Sequence, residues 1–283
     1  MSATLIKGKP IAERIRAEVG EQVKEIGHVG LVTVLVGDDP ASDVYIRLKH
    51  KAAVEAGIDA TDLRIPAEVS EDQLLAKVAE LDADPDVDAI LVQLPLPDHI
   101  DEARVIRALE PAKDVDGFHP FNAGQLYLGR RTLVPATPLG VMAMLREHQI
   151  ELQGARAVVI GRSDIVGKPM AHLLLQANAT VTICHSRTKD IARETLAADV
   201  LVAAVGVPGM VTPDMVKPGG VVIDVGINRT EAGIVGDVDP GAAEVAGYMT
   251  PVPGGVGPMT IACLLQNAVV CARYRRGDIV YPS

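Results

Sequence analysis

Residues 157–170, AVVIGRSDIVGKPM, decide the fold. A short apolar run ends at Gly161, and a stretch with helical spacing of apolar side chains opens at Gly167, so the segment reads as strand, glycine turn, helix. Gly161 lets the chain turn sharply at the strand end. Gly167 permits close approach at the start of the helix, whose free amides are placed to face a pyrophosphate. Ser163 stands where a GxGxxG fingerprint has its second glycine, so this turn alone fits an ordinary βα connection equally well.

The next strand shifts the balance. It is expected at 180–184 and runs into His185, Ser186, Arg187 and Thr188, about 20–25 residues beyond the glycine turn. No Asp or Glu stands there to hold a ribose 2′-hydroxyl. Ser186 and Arg187 at the strand end, with Arg162 in the turn, suit a 2′-phosphate, since a guanidinium pairs its fork with phosphate oxygens. That pattern indicates NADP, although Arg187 taken singly also fits a solvated loop charge. Two more expected strands, 200–204 and 221–225, end in Gly206, Pro208 and Gly209 and in Gly226, Ile227 and Asn228. Four successive strand ends of this kind favour dinucleotide binding over plain turns. Helices fit 168–177, 191–197 and 258–274.

The first half repeats the alternation, with strands expected at 31–36, 62–65 and 89–94 and helices at 41–56, 71–81, 102–109 and 138–149. The whole chain therefore reads as α/β with parallel sheet. Its 283 residues accommodate two domains, with the division near 138–155 and a cleft between them as a natural ligand site. Hydrophobic residues make up 48% but include no Trp, two Phe and five Tyr, so the cores are aliphatic, as in parallel sheets covered on both faces.

Charge and cysteine usage narrow the function. Twenty-seven basic against 37 acidic residues leave a net charge of −10, which gives no footprint for nucleic acid. Cys184, Cys263 and Cys271 form no CxxC pair or metal spacing, as expected for reduced thiols in the cytoplasm. The start, MSATLIKGKP, lacks the apolar run of a signal peptide, and the stretch 200–211 is broken by glycine and proline and too short to cross a bilayer. No membrane association is expected.

Three segments of the first half and the loop before the last helix carry candidate chemistry. In 41–57, ASDVYIRLKHKAAVEAG, Tyr45 and Lys49 are four apart and share a helical face that Ala52, Ala53 and Ala56 continue as an apolar stripe. A lysine beside such a face loses hydration and its pKa falls, which suits acid–base work, while most helix lysines are solvated. Gln93 is a polar residue at the carboxyl end of an apolar run, followed by Pro95 and Pro97. It stands where open α/β sheets bind ligands, or it caps the sheet, and an X-Pro bond after it is a candidate for cis. In 113–118, KDVDGF, Asp114 and Asp116 point the same way if the segment is extended. Asp116 before glycine fits a turn residue, or a buried carboxylate accepting two hydrogen bonds from a ring. Residues 250–260, TPVPGGVGPMT, make a rigid, backbone-exposed loop that fits a connector or a ligand wall.

Together these segments resemble the bifunctional methylenetetrahydrofolate dehydrogenase/methenyltetrahydrofolate cyclohydrolase family. The matching stretches are YIRLK (45–49), VQLPLP (92–97), KDVDGF (113–118), PATPLG (135–140), GRSDIVGKP (161–169), CHSRT (184–188), VIDVGINR (222–229), GDVD (236–239) and PGGVGPMT (253–260). They stand in family order across nearly the whole chain. The resemblance implies a homodimer of two-domain subunits, with a folate-binding domain of residues 1–138 plus 262–283 and a Rossmann-type NADP-binding domain of residues 139–261.

It further implies oxidation of 5,10-methylenetetrahydrofolate with NADP and hydrolysis of the methenyl product to 10-formyltetrahydrofolate. Lys49 matches the family's catalytic lysine, Tyr45 the tyrosine that stacks on the substrate, Gln93 the partner of the lysine and Asp116 the aspartate that grips the pterin. Pro253, Gly254 and Gly255 fall on the substrate side, and Gly161, Arg162, Ser163, Ser186 and Ile227 match NADP contacts. The chain departs from the family in having Ala136 where cysteine is common and Leu139 where a basic residue is common. A monofunctional NADP dehydrogenase and a silent dinucleotide-binding module are the competing readings.

Overall fold

The structure, a computed structural model, describes residues 2–37, 40–231 and 233–282, without the side chains of residues 40–44. The start of the helix read at 41–56 therefore lies, as side chains, outside the described residues. In chain order the elements are β1 (Thr4–Leu5), α1 (Gly8–Ile26), β2 (Gly30–Val36), α2 (Pro40–Glu55), β3 (Asp59–Ile65), α3 (Glu71–Ala83), β4 (Ala89–Val92), α4 (Glu102–Ala108), α5 (Pro120–Tyr127) and α6 (Ala136–Glu147). There follow β5 (Arg156–Ile160), α7 (Gly167–Gln176), β6 (Thr180–Cys184), α8 (Ile191–Thr195), β7 (Val200–Ala203), β8 (Val221–Asp224), β9 (Asn228–Thr230), β10 (Gly233–Val235), β11 (Tyr248–Met249) and α9 (Val256–Arg276). The protein is thus an α/β protein of two compact units, residues 13–136 with 261–283 and residues 1–12 with 137–260.

The first of these units is built on a parallel sheet in the order β3-β2-β4. The central strand, GLVTVLV, is buried along its whole length, which is why it reads as a continuous apolar run and not as an alternation. Val32, Val34, Leu74, Val78, Ile90 and Val105 form part of its core, and each such side chain contributes about 1.5–3 kcal/mol when fully buried. Helix α3 starts on a capping box in which the Ser70 hydroxyl accepts from the Gln73 amide and the Gln73 side chain accepts from the Ser70 amide. Helix α9 closes the unit. The Asn267 side-chain amide donates to the carbonyls of Val115 (2.8 Å) and Val134 (2.9 Å), fixing the turn that carries Asp116.

The other unit holds a sheet in the order β1-β11-β8-β7-β5-β6, in which all paired strands are parallel. After β5 the chain steps to β6 on one side and then to β7 on the other, so the order reverses at β5. Ligands of open α/β sheets bind outside the carboxyl ends of strands at such a reversal.

Several features were not expected from sequence. Residues 2–12 belong with the second unit and not with residues 13–136, because β1 pairs with β11 (Thr4 opposite Tyr248, Leu5 opposite Met249). A two-residue strand carries no periodicity, so nothing in the sequence marks it. Helix α1 was missed because it opens with Gly8 and Pro10, residues a first turn tolerates. Helix α5, the β9–β10 hairpin and β11 are too short for a periodic signal. Among the described residues α9 is long and apolar enough to cross a membrane, yet most of its surface is buried in the fold, as in a core helix.

Candidate active site

Lys49 lies on α2 and keeps only 7% of its surface exposed. Its Nζ donates to Gln93 Oε1 (3.2 Å) and stands 4.9 Å from the centroid of the Tyr45 ring, one turn earlier on the same helix. Burial pulls the Lys49 pKa down, and the Asp116 carboxylate opposes that shift. Gln93 follows β4, held in place by its backbone amide donating to Val34 O (2.9 Å). Its Nε2 donates to Leu94 O (2.7 Å), so the carbonyl end of the side chain is the end that meets Lys49. A neutral amide there accepts a hydrogen bond without restoring the lysine's charge, as a carboxylate would. The Leu94–Pro95 bond is cis.

Asp114 and Asp116 do not form a matched pair. The segment is a turn, closed by Gly117 N donating to Asp114 O (3.1 Å), with Gly117 at φ +69°. A Cβ at 117 would stand 2.8 Å from Leu133 O, so both the conformation and the space require glycine. Asp114 turns inward and accepts from the His119 amide (2.7 Å) and the Asn122 side chain (2.9 Å). Asp116 instead interacts with Lys49, and burial, opposed by the charge of Lys49 and aided by that of Asp114, pushes its pKa up to about 6. The structure therefore brings Tyr45, Lys49, Gln93 and Asp116 together, and gives Asp114 the task of holding the turn.

In the other unit, the glycines at the strand ends serve the protein's own packing first. Gly161 has φ +120°, and a Cβ there would lie 2.2 Å from Ala204 O; one on Gly167 would lie 2.3 Å from Gly161 O. The amides at the start of α7, expected to be free for a pyrophosphate, are engaged. Ser163 Oγ accepts from Gly167 N (3.2 Å), Ser163 O accepts from Lys168 N (3.0 Å), and Pro169 has no N–H. The serine in the second glycine's place is the reason. The side chains of Arg162, Ser163, Ser186 and Arg187 are exposed around this turn. A tight glycine turn at the sheet reversal, with hydroxyls and guanidinium groups at its rim, fits a phosphorylated dinucleotide held by side chains more than by helix amides.

Pro253, Gly254 and Gly255 also lie in this unit. They follow a cis Val252–Pro253 bond, and Gly8 N donates to Gly254 O (3.0 Å). Gly8 and Gly255 are so close that a Cβ on Gly8 would stand 1.9 Å from Gly255 O. Ile227 is exposed at the end of β8. Two buried carboxylates, Asp224 at the end of β8 and Asp237 shortly after β10, went unassigned in the sequence; an acid inside the otherwise apolar VIDVG segment and the acid pair of GDVD are the signal that marks them.

Comparison with known proteins accounts for both units. Residues 6–116 match the family model of the tetrahydrofolate dehydrogenase/cyclohydrolase catalytic domain, and residues 135–276 that of its NAD(P)-binding domain. The chain is 58% identical over 279 residues to the bifunctional protein FolD of Acidiphilium cryptum, covering 98% of this chain and 100% of that protein. It is 57% identical over 284 residues to bifunctional protein FolD 1/3 of Ruegeria pomeroyi, covering 96% of each. Its structure is similar to that of the bifunctional FolD methylenetetrahydrofolate dehydrogenase/cyclohydrolase of Campylobacter jejuni, with a TM-score of 0.95 and 46% identity over 97% of this chain and 100% of that one. It is likewise similar to the methylenetetrahydrofolate dehydrogenase-cyclohydrolase of Trypanosoma brucei solved with NADP and an inhibitor, with a TM-score of 0.91 and 39% identity over 96% and 98% of the two chains. The chain belongs to the tetrahydrofolate dehydrogenase/cyclohydrolase family.

Proposed function

We propose that this protein oxidises 5,10-methylenetetrahydrofolate to 5,10-methenyltetrahydrofolate with NADP⁺ and then hydrolyses the product to 10-formyltetrahydrofolate. NADP⁺, when bound, accepts the hydride that leaves the methylene carbon. For that step the protein's work is alignment and exclusion of water. Arg162, Ser163, Ser186 and Arg187 hold the phosphates, and Gly161 and Ile227 line the remainder of the nucleotide.

The single observation that carries the hydrolytic half is Lys49, a desolvated amine bonded to a neutral amide. The methenyl product is a cation, which an uncharged Lys49 tolerates better than an ammonium. With one N–H committed to Gln93, the amine lone pair is available to take a proton from the water that attacks the methenyl carbon. General acid–base assistance of this kind is worth about 10²–10⁴-fold. Tyr45 packs against the folate ring, Asp116 accepts from the pterin amino group and ring N–H, and Pro253, Gly254 and Gly255 supply a backbone wall to the substrate. The same reading takes the active protein to be a cytoplasmic homodimer with no membrane or nucleic-acid partner. Three unpaired, buried cysteines suit a reducing compartment.

The test is to supply 5,10-methylenetetrahydrofolate and NADP⁺ and to follow NADPH and methenyl absorbance together, then to assay hydrolysis of isolated methenyltetrahydrofolate. NADPH formation with disappearance of added methenyl compound is the expected result. NADPH formation without hydrolysis would leave a monofunctional dehydrogenase.

A further inference from the structure

We infer that Asp237 is a positioning residue for the dehydrogenase step, clamping the two strand-end loops that receive the nicotinamide half of the cofactor. The inference rests on the proposed NADP-dependent reaction and assigns a task within that same site.

Asp237 is fully buried. One of its oxygens, Oδ2, accepts from the backbone amides of Val205 (2.7 Å) and Gly206 (3.0 Å), in the loop after β7. The other, Oδ1, accepts from the side-chain amide of Asn228 (2.9 Å), at the start of β9. Between those ties, Gly226 lies so close that a Cβ on it would stand 2.2 Å from Oδ1. The backbone of the same segment adds two bonds, Asp237 O accepting from Val211 N (2.9 Å) and Gly236 O accepting from Gly209 N (3.3 Å). Asp224 in turn holds the segment, with its carboxylate accepting from the amides of Gly226 (3.0 Å), Asp237 (2.9 Å) and Val238 (3.0 Å).

This wiring has a geometric consequence. Asn228 is pinned on the Asp237 carboxylate and Gly226 on the Asp224 carboxylate that also holds the Asp237 amide, and Ile227 between them is left 54% exposed. Val205 and Gly206 are pinned on the Asp237 carboxylate, and Val207 beyond them is 50% exposed. Two apolar side chains just beyond the adjacent strands β7 and β8 are thus presented by loops that both tie to the buried Asp237 carboxylate, the second of them with help from Asp224. A planar, apolar-edged ring such as nicotinamide is the ligand chemistry such a pair receives. A buried carboxylate gives a stiffer mount than solvent-exposed loop contacts, because hydrogen bonds to a charged acceptor are strong and leaving any of the donors unpaired is costly. Glycine at 206, 209 and 226 then follows from the clamp: the first two take φ +68° and +62°, and the third makes room for Asp237.

The experiment compares Asp237→Ala, Asp237→Asn and Asn228→Ala with the unmodified protein in three readouts: KM for NADP⁺, kcat for methylenetetrahydrofolate oxidation, and hydrolysis of methenyltetrahydrofolate, which uses no NADP⁺. Asp237→Ala is expected to raise KM for NADP⁺ by at least about tenfold, as loss of charge-assisted hydrogen bonds converts to affinity, with hydrolysis within about twofold of normal. Asp237→Asn keeps an oxygen for the Val205 and Gly206 amides while Asn228 turns its own oxygen to the new NH₂, so it is expected to recover most of that loss. Asn228→Ala falls between the two. Unchanged KM for NADP⁺ in Asp237→Ala would overturn the inference. So would a parallel loss of oxidation and hydrolysis in Asn228→Ala, the signature of a merely structural residue. If Asp237→Ala does not fold, an unaltered KM in both other variants overturns it equally. An unmodified protein that binds NADP⁺ but reduces none of it would sink the proposed reaction instead; NADP⁺ dissociation constants of the same variants then decide the clamp by the same criterion.

Discussion

Lys49 and Arg187 are both basic residues that the protein sets to work, and the structure treats them in opposite ways. Lys49 is 7% exposed, bonded to Gln93 and stacked near Tyr45, with its pKa lowered by burial. Arg187, like Arg162, lies exposed on a turn after a strand. The contrast follows from what each must do. Moving a proton near neutral pH requires a lysine taken out of water, because desolvation is what brings its pKa toward the working range. Holding a phosphate requires a permanent charge and a fork of donors, which arginine offers even in solvent. One site is tuned by burial and the other by placement, and perturbations should separate them.

The largest separation is expected from Lys49→Met, which should lower methenyltetrahydrofolate hydrolysis by about 10²–10⁴-fold while NADP⁺ binding, measured by titration, stays near normal. Gln93→Glu is a sharper version of the same break. A carboxylate in place of the amide would favour the charged lysine and raise its pKa, so hydrolysis at neutral pH should fall by about tenfold or more and recover partly as pH rises. A rate unaffected by pH in that variant would show that the lysine's charge state is irrelevant. Asp116 gives a third contrast. Its pKa is raised to about 6, and it must be ionised to accept from the pterin, so folate affinity should be full above pH 6 and weaken by about tenfold for each unit below it. The dissociation constant for NADP⁺ should not follow that curve. The smallest effect belongs to the exposed cations: Arg187→Ala should raise KM for NADP⁺ roughly tenfold, leave KM for NAD⁺ unchanged and remove part of the salt sensitivity of NADP⁺ binding.

Legibility in the sequence followed the same divide between local pattern and three-dimensional context. Strands β5, β7 and β8 were readable because buried parallel strands are continuous apolar runs, with glycine after each strand end. Tyr45 and Lys49 were readable as one helical face, since an i, i+4 spacing is a local fact. The bond between Lys49 and Gln93 joins residues 44 apart in sequence, and no spacing rule reaches that far; resemblance to a family paired them. Of the two readings of Asp114 and Asp116, the turn holds and the parallel pair of an extended segment does not, because Gly117, packed against the Leu133 carbonyl, closes a turn there. The free amides expected on α7 failed for a chemical reason, Ser163 satisfying the Gly167 amide itself. Asp224 and Asp237 were marked in sequence only as acids beside apolar residues, and their partners, mostly backbone amides, carry no side-chain pattern that would assign them a task.

The measurement that bears most directly on the account is an NMR pH titration of the Lys49 side chain, its resonance assigned by its disappearance in Lys49→Met. A midpoint clearly below the ordinary lysine value of 10.5, moving upward in Gln93→Glu, is the predicted result. A midpoint at that ordinary value, indifferent to residue 93, would contradict it.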